Sequence, residues 1–336
     1  MTEETEPLEE NIGLMFLDSG AHSLYTKHVM ELGGLGHGAK DKATMSQIYA
    51  FYKTPEFFAY VDQYCEFVKA NKDSIDHFVN VDAIFNPKLT WRTQQYIQKE
   101  HGLRPMPVVH HGTDKKWIDR YIEDGHDLIG LGGLGQEVTK EAYFNWADET
   151  YTHICPASND YKPIVKTHGF AMTAYELLIR YPWWSVDSAS WVKSGAFGML
   201  YVPRMTAGKF DFGKAPYTIS ISATMPDTEK NQNKLKKQNR GAFFEKTHMT
   251  NPAMQKGSSF HSQPKAMQKS ILQWLDFAGV DLGSVDENGQ CLEKGVASHY
   301  SHRVKANLRF FSALQEWLPD WPWPFRTKRP LRKGFF

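Results

Sequence analysis

Short apolar runs alternate with longer amphipathic stretches through the first 195 residues of the chain. This alternation is typical of βα units that build a parallel sheet. The apolar runs predict strands at 13–18, 76–82, 106–110, 126–131, 163–168 and 183–187. The amphipathic stretches between them predict helices at about 53–72, 90–101, 114–124, 139–154 and 172–180.

The alternation ends near residue 195, and the chain then becomes rich in Gly, Lys, Asn and Ser. Segments 198–203 and 217–224 predict a hairpin. Segment 229–246, EKNQNKLKKQNRGAFFEK, is polar and basic and predicts a mobile loop. Helical patterns return at about 264–278 and 302–317.

Three of the predicted strands end in an aspartate, at Asp18, Asp82 and Asp187. Side chains at the carboxyl-terminal mouth of a barrel of parallel strands converge on one pocket. Three carboxylates that are far apart in the chain can therefore face one substrate, which indicates an enzyme. A complete barrel needs one or two further strands, and these are expected from around 41–52 or 198–224.

The composition narrows the partners and the compartment. A chain of 336 residues suffices for one barrel with insertions or for two smaller domains, and its net charge of +1 gives no long-range attraction to a polyanion. Any contact with nucleic acid must therefore come from local basic patches. The acidic start argues against a secretory signal, no apolar run approaches a membrane span, and three separated cysteines favour a reducing cytoplasm.

Two of the aspartates allow a chemical and a structural interpretation. Asp18 precedes Gly20 and Ala21, which let a flat ligand approach the backbone while the carboxylate exchanges a proton with it. Asp187 closes an aromatic run, where a poorly hydrated carboxylate can attack an anomeric carbon. Either residue could instead cap the helix that follows, which for Asp187 would begin near Ala189.

Glycines and histidines lie at other predicted strand ends. The glycine run at 127–135 lacks the residues of a P-loop and suits a strand end open to a planar base, whereas 33–38 predicts a flexible loop. His22, His110 with His111, and His168 favour ligand contact. They could instead bind a metal together with the aspartates, as in amidohydrolase barrels, although an HxH pair on the first strand is missing.

The motifs LDSGA, NVDAIFNP, PVVHHG, DLIGLGGL, KTHGFAMT and SVDSASW, in this order, resemble the tRNA-guanine transglycosylase superfamily. They look most like its DNA-directed branch, the 7-deazaguanine DNA transglycosylases of phages and bacterial modification systems. The resemblance covers about residues 12–200. It implies an α/β fold with a TIM-type (β/α)8 barrel. Together with the patterns above, this predicts a single catalytic barrel over 12–325, with a hairpin and basic-loop insertion at 196–262 and a helical C-terminal part, between an acidic tail at 1–11 and a basic tail at 326–336.

The resemblance also implies a reaction and roles for the aspartates. The family exchanges guanine for a 7-deazaguanine such as preQ0 without cutting the strand. Asp187 matches the nucleophile that attacks C1′, Asp18 the proton-transfer group, and Asp82 the acceptor for the N–H and exocyclic amine of the base. The expected partners are DNA and the free base, and no cofactor is expected. The expected compartment is the cytoplasm, or the host cytoplasm if a phage encodes the protein. The remaining base-binding candidates are Ser19, His22, His110, Gly132, Gly133 and His168.

Two further features bear on the substrate. The CxCxxC zinc motif of the tRNA enzymes is missing, and Cys291, His299 and His302 could bind a metal only with another ligand, so we expect no metal and regard tRNA as the less favoured substrate. Two competing functions stay open, namely a metal-dependent amidohydrolase-type barrel and a catalytically silent nucleic-acid-binding relative.

Basic side chains could hold the DNA backbone, unless they only form a solvated loop and tail. These residues are Lys234, Lys236, Lys237, Arg240, Arg329 and Arg332.

Overall fold

A computed structural model describes residues 14–34, 43–132, 138–172, 174–222, 260–286 and 290–326. The chain divides into two compact units, Met1–Gly133 (unit 1) and Leu134–Phe336 (unit 2). Both units combine helices with strands, which confirms the mixed α/β class. The single eightfold barrel over 12–325 stays a prediction. None of the helices in the described ranges is long and apolar enough to cross a membrane.

The strands of unit 1 follow one another in chain order and pair in parallel. Strand β1 pairs with β2 and β3 with β4, while a parallel bridge between Val79 and Met106 joins the second strand to the approach of the third. Parallel strands in this order present their carboxyl ends at one edge. The strands are β1 (Phe16–Leu17), β2 (His77–Phe78), β3 (Val108–His110) and β4 (Leu128–Gly132).

Short-range side-chain signals set the starts of several unit 1 helices. Thr54 accepts a hydrogen bond from the Phe57 N–H and is followed by a proline at the first helical position, and Asn86 caps the next long helix in the same way. A capping box of Thr44 and Gln47 starts a shorter helix. The helices are α1 (Ala21–Glu31), α2 (Met45–Phe51), α3 (Pro55–Ala70), α4 (Pro87–Tyr96), which continues into a π-helical turn (Ile97–His101), and α5 (Lys116–Glu123).

Unit 2 begins with parallel strands and continues with antiparallel ones. Strand β5 pairs in parallel with β6, and β7 pairs with β10 in the predicted hairpin. Two further antiparallel pairs are β8 with β9 and β11 with β12. The strands are β5 (Lys166–Gly169), β6 (Ser185–Val186), β7 (Met199–Val202), β8 (Arg204–Thr206), β9 (Lys209–Asp211), β10 (Tyr217–Ser220), β11 (Ser284–Val285) and β12 (Cys291–Glu293).

The prediction of further strands was only half right. Residues 45–51 form helix α2, because the capping box starts a helical turn there and Ile48 is fully buried on its inner face. Segment 198–224 does supply strands, but these are antiparallel and so do not continue the parallel βα pattern. The six parallel strands that the sequence predicts are all present, and each has fewer residues than predicted.

The core of unit 2 lies around the last two long helices. Trp274 and Phe310 are fully buried there and pack with the strands of the hairpin. The helices of this unit are α6 (Lys140–Ile154), α7 (Tyr175–Arg180), α8 (Ser190–Ala196), α9 (Lys265–Ala278) and α10 (Tyr300–Trp317).

Two buried polar side chains of α10 hold α8, the helix that follows Asp187. The Arg303 guanidinium donates to the carbonyls of Gly195 and Val296, and burial lowers its pKa to about 10. One turn further on, the Asn307 amide bonds to main-chain groups of α8 and β7. Helix α10 therefore fixes the position of α8 in unit 2.

Replacing Asn307 by alanine is expected to lower the free energy of unfolding by about 2–4 kcal/mol, because buried main-chain groups lose their partner. These groups are the Tyr201 N–H and the carbonyls of Met199 and Trp191. Denaturant unfolding measures the loss. Gln315→Ala, an exposed change on the same helix, is the control, and equal stability of the two variants would contradict the role of Asn307.

Candidate functional site

The LDSGA motif places Asp18 directly after β1 in unit 1. Gly20 is the residue before α1 and has φ 70°, and a Cβ there would lie 2.7 Å from the Tyr60 hydroxyl oxygen. That hydroxyl donates to the carbonyl of the buried Ser19 at 2.8 Å. Helix α1 has no side-chain cap bond, so Asp18 does not cap it. Asp18 is exposed. His22 is also exposed, in the first turn of α1.

Asp82 and His110 meet in the interior of unit 1. They are 5% and 4% exposed, and Asp82 Oδ2 lies 2.8 Å from His110 Nε2. Although the two atoms are this close, Asp82 Oδ2 has no aligned hydrogen-bond donor among the described residues. Buried carboxylate oxygens normally have such a donor. Asp82 therefore offers an acceptor that a ligand N–H could use.

Two tyrosines share the electrostatic environment of Asp82. Burial raises the pKa of both Tyr52 and Tyr121, and the negative charge of Asp82 raises it further. Both side chains therefore stay protonated throughout the neutral range. Neither hydroxyl therefore adds a negative charge near the Asp82 carboxylate.

Phe85 is a candidate residue that sequence reasoning missed. Its φ is 60°, its side chain is 41% exposed, and its ring centre lies 5.6 Å from that of His110. The Thr90 hydroxyl bonds to both the N–H and the carbonyl of Ala83 and so anchors the turn that presents Phe85. A phenylalanine with positive φ is strained, and such strain is concentrated at functional sites. The exposed ring can stack on a planar ligand.

Phe85→Asn is expected to weaken binding of a free base by about 0.5–1.5 kcal/mol, because the stacking surface is lost. Asparagine accepts positive φ readily, so the free energy of unfolding should change by less than about 1 kcal/mol. Calorimetric titration and denaturant unfolding measure the two effects. A stability loss with unchanged base affinity would mean that the ring serves only the fold.

The glycine-rich end of β4 is only partly described. Residues 128–132 are all buried, and the carbonyl of Gly132 accepts a hydrogen bond from the His111 N–H at 2.8 Å. Gly133 lies outside the described residues. A role of this strand end in reading a base therefore stays a prediction.

In unit 2, Asp187 follows β6 and is held on both sides by β5 and the loop after it. The Asp187 N–H donates to the Gly169 carbonyl at 3.1 Å, and the Asp187 carbonyl accepts from the Met172 N–H at 2.8 Å. Its carboxylate Oδ1 accepts a hydrogen bond from the Ala171 N–H at 2.8 Å and lies 3.6 Å from His168 Nε2. Ala171 has φ 55°, so this contact also uses a strained backbone position.

The capping alternative for Asp187 does not hold in the structure. Helix α8 starts at Ser190 and has Ala189 as its N-cap, with no side-chain cap bond. The carboxylate instead bonds to the loop after β5. Partial burial raises the pKa of Asp187, but the His168 imidazole and the Ala171 N–H together lower it by more. The pKa of Asp187 therefore lies below its ordinary value. Asp187 is therefore an ionised carboxylate at neutral pH, and its side chain is 60% exposed.

His168 and Gly169, the centre of the KTHGF motif, have separate functions in the local packing. A Cβ on Gly169 would lie 2.9 Å from the Met172 Cβ and 3.1 Å from the Trp183 ring, so only glycine fits. The buried His168 ring bonds through Nδ1 to the Ser185 hydroxyl at 2.8 Å. Ser185 lies opposite His168 in the β5–β6 register.

The described ranges hold no group of three or more His, Cys, Asp or Glu side chains placed for a metal ion. Cys291 Sγ lies 3.7 Å from His299 Nδ1, and the rings of His299 and His302 are 6.2 Å apart between centres. The candidate DNA-backbone residues Lys234, Lys236, Lys237, Arg240, Arg329 and Arg332 lie outside the described residues. A scan against protein-family models found no match, and searches of the curated proteins and of the solved structures found no significant match either.

Proposed function

We propose that the protein is a DNA guanine transglycosylase, which replaces guanine in DNA by a 7-deazaguanine base such as preQ0 through a covalent glycosyl ester of Asp187. The observation that carries this proposal is the Asp187 carboxylate itself. It is ionised, partly exposed and oriented by the Ala171 N–H and by His168 at the end of a parallel strand. Such a carboxylate suits attack on an anomeric carbon.

The environment of Asp82 supports a purine-like base as ligand. A guanine edge carries a ring N–H next to an exocyclic amine, and Asp82 Oδ2 is a buried acceptor without an aligned donor among the described residues. The Phe85 ring beside His110 adds an exposed aromatic surface for stacking. Bases taken out of a duplex are commonly recognised by hydrogen bonds to their polar edge together with stacking.

The reaction is a double displacement. An oxygen of Asp187 forms a bond to C1′ of the deoxyribose while the C1′–N9 bond breaks and its electron pair leaves with guanine, which takes a proton from Asp18. The incoming base then loses its N9 proton to Asp18 and attacks C1′, and the ester oxygen departs as the Asp187 carboxylate. The strand stays intact, and no oxidant, reductant or cofactor is consumed.

The resemblance favours DNA over tRNA, since the CxCxxC motif of the tRNA enzymes is missing from the chain. We further propose that the fold is a TIM-type (β/α)8 barrel. The proposed compartment is the cytoplasm, or the host cytoplasm if a phage encodes the protein. The competing function is a metal-dependent hydrolase. Measuring the metal content of the purified protein would distinguish it from a transglycosylase.

One experiment tests substrate and reaction together. The full-length protein is incubated with radiolabelled preQ0 and, in parallel, with duplex DNA, single-stranded DNA and tRNA that contain guanine. Label in DNA, released by glycosidic hydrolysis and absent with Asp187→Asn, is the expected result. Label in tRNA alone would replace the DNA proposal by the tRNA alternative. No label in any of the three nucleic acids would overturn the proposed function.

A further inference from the structure

The contacts of His168 suggest a function other than contact with the base. His168 on β5 and Ser185 on β6 lie opposite each other in parallel register. The imidazole bonds to Ser185 Oγ through Nδ1 at 2.8 Å, and its other nitrogen, Nε2, lies 3.6 Å from Asp187 Oδ1. Ser185, His168 and Asp187 thus lie in a row at the ends of two paired strands.

The serine hydroxyl suits the inner end of this row because it can either donate or accept a hydrogen bond. With a neutral imidazole, the Ser185 O–H can donate to Nδ1, which places the ring proton on Nε2. With a protonated imidazole, Nδ1–H donates to the Ser185 oxygen instead. Nε2–H is therefore directed at Asp187 in both protonation states.

We infer that Ser185, His168 and Asp187 form one chain of polar contacts, in which Ser185 fixes the imidazole through a hydrogen bond and His168 holds the Asp187 carboxylate oriented for attack. His168 is then a positioning residue. The role of these contacts in attack on C1′ rests on the proposed function, whereas the contacts among the three side chains are a property of the free protein.

The chain acts on the carboxylate in both displacement steps. In the first step, Nε2–H and the Ala171 N–H orient Asp187, whose oxygen forms the bond to C1′. In the second step, the C1′–O bond breaks and its electron pair returns to the carboxylate, which the same two donors stabilise. His168 keeps Nε2–H directed at the carboxylate throughout and transfers no proton. The 3.6 Å distance is long for a hydrogen bond, yet His168 already lowers the pKa of Asp187 in the free protein.

His168 is the titratable side chain that acts on Asp187 among the described residues. From the loop after β5 the carboxylate meets the Ala171 N–H, and on the side of α8 the Ser188 and Ser190 hydroxyls bond to each other. The sign of the effect follows from these contacts. Because His168 lowers the pKa of Asp187, its removal raises that pKa, and Asp187 becomes protonated at a higher pH than in the wild type.

Two measurements on the full-length protein test the chain. The first is the pH titration of the Asp187 carboxyl carbon by ¹³C NMR without substrate, with Asp187→Asn identifying the signal. The second is the rate of one round of base transfer against pH. Variants are His168→Gln, Ser185→Ala and Ser185→Thr, which keeps the hydroxyl. His153→Gln, an exposed change on α6, is the control. Thermal unfolding checks that each variant folds.

His168→Gln is expected to move the Asp187 titration and the acid limb of the transfer rate to higher pH together. Its rate at neutral pH should fall about tenfold, the effect of losing one hydrogen bond to a charged group. Ser185→Ala should give a smaller shift in the same direction, and Ser185→Thr and His153→Gln should resemble the wild type.

An Asp187 titration that is the same in His168→Gln and wild type would overturn the inference, whatever the activity. A shifted titration supports the chain even if the wild-type protein transfers no base, in which case only the proposed function fails. If His168→Gln fails to fold, Ser185→Ala decides the matter by the same titration.

Discussion

Asp187→Asn is expected to lower the rate of base exchange by at least about a thousandfold, because an amide cannot form the glycosyl ester. The fold should persist, since the main-chain bonds of Asp187 to Gly169 and Met172 do not use the carboxylate. The rate of preQ0 incorporation into DNA and the thermal unfolding temperature measure the two effects. Asp276→Asn, the same chemical change at an exposed position of α9, is the control and should keep full activity.

Near-normal exchange by Asp187→Asn would show that another group attacks C1′. Asp187→Ala separates two explanations of a loss. If both variants are inactive but fold like the wild type, the carboxylate is needed for chemistry. If both unfold at a clearly lower temperature than Asp276→Asn, Asp187 serves the structure of the β5–β6 end, and the assignment as nucleophile loses its support.

Asp82→Asn is expected to weaken binding of the free 7-deazaguanine by about 1–3 kcal/mol, because a charged acceptor for the paired donors of the base is replaced by an amide. Stability should not fall in parallel. Asp82 Oδ2 is a buried oxygen without an aligned donor among the described residues, and the change to a neutral amide removes the cost of burying a charge. Calorimetric titration with the base and denaturant unfolding measure the two effects.

An unchanged affinity for the base would remove Asp82 from base recognition. A loss of stability without a loss of affinity would assign the Asp82–His110 pair to the fold of unit 1. Asp73→Asn, an exposed change in the same unit, is the matched control for the change from carboxylate to amide, and it should alter neither quantity.

The hydrophobic pattern predicted the central parallel strands β3 and β4 well because both faces of these strands are covered. Buried strands such as β3 and β4 read as continuous apolar or glycine-rich runs, and the helices between them carry caps such as Thr54. Helix α1 was missed because Gly20 starts it without a side-chain cap. Helix α2 lies where the pattern allowed a strand, because its seven residues are too few to establish a helical period.

The positions of the candidate site residues at strand ends were predictable, but their contacts were not. That Asp187 follows a strand could be read from the run of apolar residues before it. Its bond to the Ala171 N–H could not, because it depends on a backbone turn with positive φ at an alanine. The pairing of His168 with Ser185 depends in the same way on the β5–β6 register, which one residue of slip would change.

Phe85 shows a third reason why sequence reasoning was incomplete. The NVDAIFNP motif drew attention to Asp82, and an exposed aromatic residue two positions before a helix-starting proline reads as ordinary loop. Phe85 lies beside His110 because of a turn that the Thr90 side chain anchors. Thr90 bonds to Ala83, which precedes it by seven residues in the chain. A useful signal in retrospect is the Asn86 cap, which fixes where the helix begins and so leaves Phe85 outside it.

In the proposed reaction, Asp187 forms a covalent bond to the deoxyribose. To detect this bond, the full-length protein is incubated with a guanine-containing DNA oligonucleotide in the absence of free base and quenched with acid, and the adduct is mapped by peptide mass spectrometry. We expect a mass increase equal to the oligonucleotide less guanine, on the peptide that contains Asp187, and no adduct with Asp187→Asn. An adduct on a different residue, or continued base exchange by Asp187→Asn, would contradict the proposed reaction.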